Sequence, residues 1–166
     1  MIYEIKGICP NCVDEVSVLV HNDSIITTCP KCNETPFGIK RFEGVIYVVK
    51  NKNQDGVKIG LTTKTVEERC KALSSTGVAG KFLPKAIFPS NNIKRHEKTV
   101  HKKLAKFKLD KEHFSLEVTD AILKVFRALN RKIDPIFYDD KVKQNFFLKL
   151  QKDKINMELR LQGKVT

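Results

Sequence analysis

Four of the five cysteines stand in two pairs, Cys9-Pro10-Asn11-Cys12 and Cys29-Pro30-Lys31-Cys32, with sixteen residues between them. Two residues between cysteines let one tight turn aim both thiolates at a single ion, and two such turns complete a tetrahedron. The spacing therefore points to structural zinc held by Cys9, Cys12, Cys29 and Cys32. A disulfide pair, a dithiol redox centre and an iron site of four thiolates are the alternatives at the same spacing. His21 is not needed, because four thiolates fill the site, and Cys70 reads as a small core residue on a helical pattern. A second candidate is Glu97. Ile93, Val100, Leu104 and Phe107 fall within a helical arc of roughly 60°, and Glu97 lies about 20° beyond its edge, where burial penalises an unpaired carboxylate. A metal ion, a basic partner, or pairing with His101 one turn later would each relieve that cost. Around it the run Lys94, Arg95, Lys98, Lys102, Lys103, Lys106, Lys108 and Lys111 falls mostly opposite the apolar arc, as a solvated face or one that follows phosphates.

These residues need elements to hold them. Residues 16–20 and 24–28 read as strands around the turn His21-Asn22-Asp23, giving a zinc ribbon whose segment of about 40 residues buries little core, so that the ion supplies folding free energy. Thr35-Pro36-Phe37-Gly38 reads as a linker. Residues 44–50 and 57–61 form a hairpin around a turn ending in Asp55-Gly56. Thr65-Val66-Glu67-Glu68 matches a capping box, and Val66, Cys70 and Leu73 follow at helical spacing, which places Arg69 about 60° off the apolar stripe. Residues 82–89 suggest a third strand, which Pro84 and Pro89 confine to an edge or to its ends. Helices follow over about 92–107, 121–129 and 142–150. At Ile155, Met157, Leu159 and Leu161, alternation favours a strand while composition favours a helix. The expected fold is α/β (α+β): a small three-stranded antiparallel sheet flanked by helices and preceded by a β zinc ribbon. The expected divisions are 1–40 for the ribbon, 41–132 for the α/β domain and 133–166 for a C-terminal extension.

Val45-Ile46-Tyr47 and Lys58-Ile59-Gly60, then Arg69 after Glu67-Glu68, then Glu97 within Arg95-His96-Glu97-Lys98-Thr99-Val100-His101, then Glu112-His113-Phe114, come in an order that resembles the GIY-YIG nuclease superfamily. The similarity is to its phage and bacterial open-reading-frame branch, which reads Lys-Ile-Gly at the second tripeptide, and it covers about residues 43–130. The resemblance implies metal-dependent phosphodiester hydrolysis. Tyr47 would help to activate water, Lys58 would favour the phenolate, and Arg69 would grip the scissile phosphate. Glu97 would hold Mg²⁺ or Mn²⁺, with His101 assisting proton transfer. Two positions depart from the pattern: the first glycine stands one residue early, at Gly44, and Lys58 replaces a tyrosine. With these side chains acting only as a strand aromatic and surface charges, the domain would be a binding adaptor with a dead centre.

The chain has 166 residues, 31 Lys+Arg against 19 Asp+Glu, a formal charge of +12 and 41% hydrophobic residues. That composition is too apolar for disorder, and no apolar run approaches the roughly 20 residues of a membrane span. The first six residues lack the basic and long apolar regions of a secretory signal, so a cytoplasmic chain is expected. Residues 1–40 carry a formal −2, so residues 41–166 carry +14, and a zinc-loaded ribbon would fall to −4. The expected partner is nucleic acid, double-stranded DNA first, and no membrane. The expected function is a divalent-metal-dependent DNA endonuclease; the rivals are the adaptor and, behind it, a cysteine redox protein. A small site cuts one strand at a time, so duplex cleavage would take a homodimer or two binding events. Because the positive field belongs to residues 41–166, deletion of residues 1–40 is expected to leave nonspecific DNA affinity and its salt slope unchanged in a fluorescence-anisotropy titration. A collapse of affinity in a folded deletion would make the ribbon the DNA reader.

Overall fold

The computed structural model describes residues 1–75 and 78–162, without the side chains of Leu161 and Gln162. Two compact units divide at Arg41 and Phe42.

In the first unit β1 (Ile2–Ile8), β2 (Glu15–His21) and β3 (Ser24–Ile25) form an antiparallel sheet in that order. Strict alternation along β2 buries Val16, Val18 and Val20 and exposes the residues between them. Val16 and Val18 pack on Cys9 and Cys29, so the small core and the cysteine cluster are one object. Asn22 and Asp23 take left-handed φ of 48° and 60° in the β2–β3 turn, which their side chains tolerate better than most. Two expectations change here. β1 adds a strand not foreseen in the sequence, and residues 35–38 are not a linker. Pro36 is buried, and the Phe37 ring packs into the core so closely that a Cβ at Gly7 would stand 3.1 Å from it.

The second unit is built on β4 (Gly44–Asn51), β5 (Val57–Thr62) and β6 (Phe82–Ser90). The sheet has six strands rather than three, in the order β7-β8-β5-β4-β6-β9. The additional strands are β7 (Lys108–Asp110), β8 (His113–Phe114) and β9 (Ile136–Phe137), each too short for alternation to show. β6 is consequently internal. Pro84 and Pro89 are accommodated because β9 pairs only Ala86 and Ile87, and the register with β4 shifts beside Pro84.

β4 is buried on both faces, which explains its unbroken apolar run. Ile46 and Val48, with Val57 and Ile59 of β5, face a core closed by α2 (Ile93–Lys103), α3 (Val118–Ala128) and Phe146 of α4 (Asp140–Gln162). Tyr47 and Val49 face the other way, toward Val66 and Cys70 of α1 (Val66–Leu73). Thr65 caps α1 as its sequence requires: its hydroxyl accepts from the Glu68 amide at 3.3 Å, and the Glu68 carboxylate accepts from the Thr65 amide at 3.3 Å. α2 ends at Lys103, and residues 105–107 form a separate 3₁₀ turn, so the expected helix over 92–107 is two pieces.

The segment at 155–161 is helical, continuous with α4, so helix propensity prevails over the alternation. Residues 163–166 lie outside the described residues. No helix among the described residues is long and apolar enough to cross a membrane. Phe146 is almost fully buried and meets the rings of Phe126 and Phe137 at centroid distances of 5.6 and 5.2 Å, which ties α4 to the sheet. Phe146→Ala should therefore cost the second unit about 3–5 kcal/mol in urea denaturation; a change under about 1 kcal/mol would show that α4 only decorates the domain.

Candidate active site and metal centre

Each cysteine pair sits in a turn with the same hydrogen bonds. Cys9 N–H donates to Asp14 O at 2.8 Å and Val13 N–H to Cys9 O at 2.9 Å; Cys29 N–H donates to Glu34 O and Asn33 N–H to Cys29 O, both at 2.9 Å. Both turns need a left-handed residue after the second cysteine, Val13 at φ 61° and Asn33 at φ 58°. Asn suits that position, whereas a β-branched valine is strained there, so the first turn is held against a local preference. The four sulfurs lie within 4.8 Å of one another, with Cys9–Cys32 and Cys12–Cys29 both at 3.7 Å. A disulfide requires about 2.05 Å, while four thiolates about 2.3 Å from one zinc ion stand about 3.8 Å apart. The cluster could thus hold a zinc ion, and its all-sulfur donor set suits that metal. Hydrogen bonds from the Asn11 side chain and the Glu34 backbone lower the Cys32 thiol to about 6. At Cys12 a backbone hydrogen bond from Asp14 lowers the thiol, but burial and the neighbouring thiols outweigh it and raise it to about 12, so the four sulfurs share their protons unequally.

In the second unit the chemistry gathers on the α1 face of the sheet. Tyr47 on β4 lies directly opposite Gly60 on β5. Its phenol donates to Glu112 Oε2 at 2.8 Å and accepts from Arg69 Nε at 3.1 Å, and Arg69 Nη2 reaches the same carboxylate oxygen at 3.4 Å. Gly60 makes this possible, because a Cβ there would stand 2.5 Å from Tyr47 Oη and 3.0 Å from Glu112 Cδ. Glu112 occupies the tight turn between β7 and β8, with Lys111 at φ 33°, and its carbonyl accepts from Ile59 N–H at 2.9 Å. Burial pushes the Tyr47 phenol well above its usual range; Arg69 pulls it down, and the Glu112 carboxylate adds to the rise. Arg69 and Glu112 are each about a third exposed and line a cleft of about 450 Å³ with Lys58, Lys111, Gln54 and His113. Arg69 Nη1 makes no hydrogen bond to a described residue, so one edge of the guanidinium remains for a ligand.

The other expected site residues are dispersed around this cluster. Lys58 shares the face of Tyr47, but its ammonium lies over the Phe82 ring at 5.1 Å, and the phenolate-favouring role expected of it falls to Arg69, outweighed by burial. His101 is fixed by a 2.8 Å hydrogen bond from Nε2 to Ile59 O and sets its ring edge on Phe114. Glu97 lies half-buried one turn earlier on α2, and its carboxylate makes no hydrogen bond or ion pair with any described residue, so the pairing with His101 does not form. α2 packs on the sheet face opposite α1, so Glu97 and the Tyr47 cluster are carried by elements on different sides of the sheet. Cys70 is a core residue whose thiol burial raises to about 11. The sequence gives Glu112 no role here because nothing in its spacing joins it to Tyr47, 65 residues earlier; the glycine inside a strand at position 60 is the available signal of close approach. Gly60→Ala should destabilise the second unit by about 1–3 kcal/mol in thermal unfolding, since the new methyl must displace the phenol or the carboxylate; a neutral substitution would mean that the cluster is not held this tightly.

No solved structure matches the chain. One curated relative is a protein named for a KilA-N domain, 315L of Invertebrate iridescent virus 6, 36% identical over 89 residues. The alignment takes in 49% of this chain and 38% of that protein, so the chain spans well under half of the relative's length. The T5orf172 domain matches residues 44–130, a little over half of the chain. This match corrects the GIY-YIG superfamily read from the two tripeptides, which lie within the same stretch. The displaced glycine has its own structural reason: a Cβ at Gly44 would stand 2.5 Å from the Thr62 carbonyl. The chain belongs to the T5orf172 domain family.

Proposed function

We propose that this chain is a divalent-metal-dependent endonuclease that hydrolyses DNA phosphodiesters, with zinc as structural metal in its ribbon. Family membership supports a DNA-binding or nuclease-like role. The observation that carries the finer reading is the partly exposed Arg69 guanidinium, fixed by Tyr47 and Glu112 through two of its nitrogens and open to the cleft through the third. A planar cation with a free donor edge is suited to a phosphodiester, which it would orient and whose growing charge it would neutralise. The basic residues of α2, Lys94, Arg95, Lys98 and Lys102, are exposed and would follow the flanking phosphates. Tyr47 would orient the attacking water through its hydroxyl.

Glu97 fits a hard divalent ion, because it is a half-buried carboxylate without a described partner and Mg²⁺ commonly takes only one or two protein carboxylates. When bound, Mg²⁺ or Mn²⁺ would polarise phosphate oxygens. β8 pairs β5 only as far as Lys58, and substrate lying along the edge of β5 beyond Ile59 would meet side chains from both faces of the sheet. The separation of Glu97 from Tyr47 and Arg69 across the sheet favours the second reading, a DNA-binding adaptor that does not cut.

Supercoiled plasmid incubated with the protein and Mg²⁺ or Mn²⁺ should be nicked, with activity abolished by EDTA and lowered at least about 100-fold in Arg69→Ala and in Glu97→Ala. Plasmid that is retarded on a gel yet intact with every metal would establish the adaptor instead.

A further inference from the structure

The nuclease reading leaves open where the proton of the attacking water goes. A phenolate would accept it directly, but Tyr47 is fully buried, its own proton is committed to Glu112, and burial and the neighbouring carboxylate both favour the neutral phenol. The geometry supplies an alternative. The phenol donates to Glu112 Oε2 at 2.8 Å and accepts from Arg69 Nε at 3.1 Å, which leaves the second lone pair of Oη for an incoming water. The phenol and the carboxylate fill the space beside Gly60, and Tyr47 is buried, so a water reaches that lone pair only once Arg69, which lines the cleft, turns toward a bound phosphate.

We infer that Glu112 is a positioning residue for hydrolysis, fixing the Tyr47 phenol and receiving its proton as the phenol takes one from the attacking water. The inference rests on the nuclease reading above. In the step, one water proton moves to Tyr47 Oη while the phenolic proton moves to Glu112 Oε2. The water oxygen forms a bond to phosphorus and the bond from phosphorus to the leaving sugar oxygen breaks. Solvent water protonates that oxygen, and Glu112 returns its proton to solvent. Tyr47 is neutral before and after, so its phenolate never has to be populated.

The groups that share the site with Glu112 come from every element around it. Tyr47 faces it from β4 and Arg69 from α1; Lys58 of β5, and Asp110, Lys111 and His113 of its own hairpin, line the cleft with it. Arg69 Nη2 reaches Glu112 Oε2 at 3.4 Å before the step. Once substrate is present, the guanidinium can turn its donors to the phosphate, which leaves that oxygen to the phenolic proton alone.

Two measurements on the full chain test this. In a plasmid-nicking assay with Mg²⁺, Glu112→Gln keeps a side chain of the same shape, yet its rate at neutral pH should fall about 100-fold or more with KM within about threefold. Its rate should also climb with pH by up to about tenfold per unit where wild type is flat, and Glu112→Asp should restore most of the loss. Independently of activity, Tyr47 in carbon-labelled protein should ionise at lower pH in Glu112→Gln than in wild type, because the negative charge beside it is gone. Wild-type cleavage with an unchanged rate and pH profile in Glu112→Gln would overturn the inference and spare the nuclease reading. So would a Tyr47 titration that does not move in a Glu112→Gln protein shown by circular dichroism to be folded. If that variant does not fold, the same titration in Glu112→Asp decides, since lengthening the hydrogen bond must also move it. Wild-type protein that never nicks DNA would remove the reaction itself, and the inference with it.

Discussion

The hydrogen bond from the Tyr47 phenol to the Glu112 carboxylate joins a central strand to a turn 65 residues later, and Arg69 closes the triangle from α1. Left without an acceptor, the buried phenol O–H would cost about 1–3 kcal/mol, so the carboxylate contributes to stability before it is anything else. Gly60, opposite Tyr47, is the position that lets three side chains meet without displacing the strands. The same bond holds the β7–β8 turn against the sheet, assisted by the amide of Ile59. Charge, shape and access at the cleft all follow from it: the phenol stays protonated, Arg69 is held with one edge free, and Lys58 and Lys111 flank an opening that can admit a phosphate.

The two units solve the problem of stability differently. The first has a core of a few valines and the cysteines themselves, so small that a metal held by its four sulfurs would add to its stability. The second buries a continuous core on both faces of β4 and closes one of them with α4. The formal charge follows the same division, −2 on residues 1–40 and +14 on the rest, so the attraction for phosphate belongs to the second unit and the cysteine cluster to the first.

What could be read in the sequence was what depends on local pattern. The cysteine turns, the alternation of β2, the hairpin around Gly56 and the capping box at Thr65 are each written within a few neighbouring residues, and the structure forms all of them. Tyr47 and Arg69 are brought to one face because strand alternation and helical spacing are short-range rules. Glu112 escaped because it reaches Tyr47 only through β7 and β8, strands of three and two residues with no readable period. Strand alternation puts Lys58 on the face of Tyr47, but its long side chain lies on Phe82, a choice that packing makes and spacing cannot. Residues 35–38 look like a linker by composition, yet Phe37 fills the ribbon core, since one aromatic ring is a large fraction of so small an interior.

The central claim is that Tyr47, Arg69 and Glu112 form the place where a phosphodiester is handled. The most direct measurement is the side-chain NMR resonance of Arg69 Nε–H in isotope-labelled protein, titrated with a short duplex in EDTA so that no strand is cut. The account predicts a large saturable shift of that resonance, matched in midpoint to the shifts of the α2 lysines as the duplex binds. Lysine resonances that shift and saturate while Arg69 stays fixed would show that DNA binds elsewhere on the basic surface, and would contradict the account.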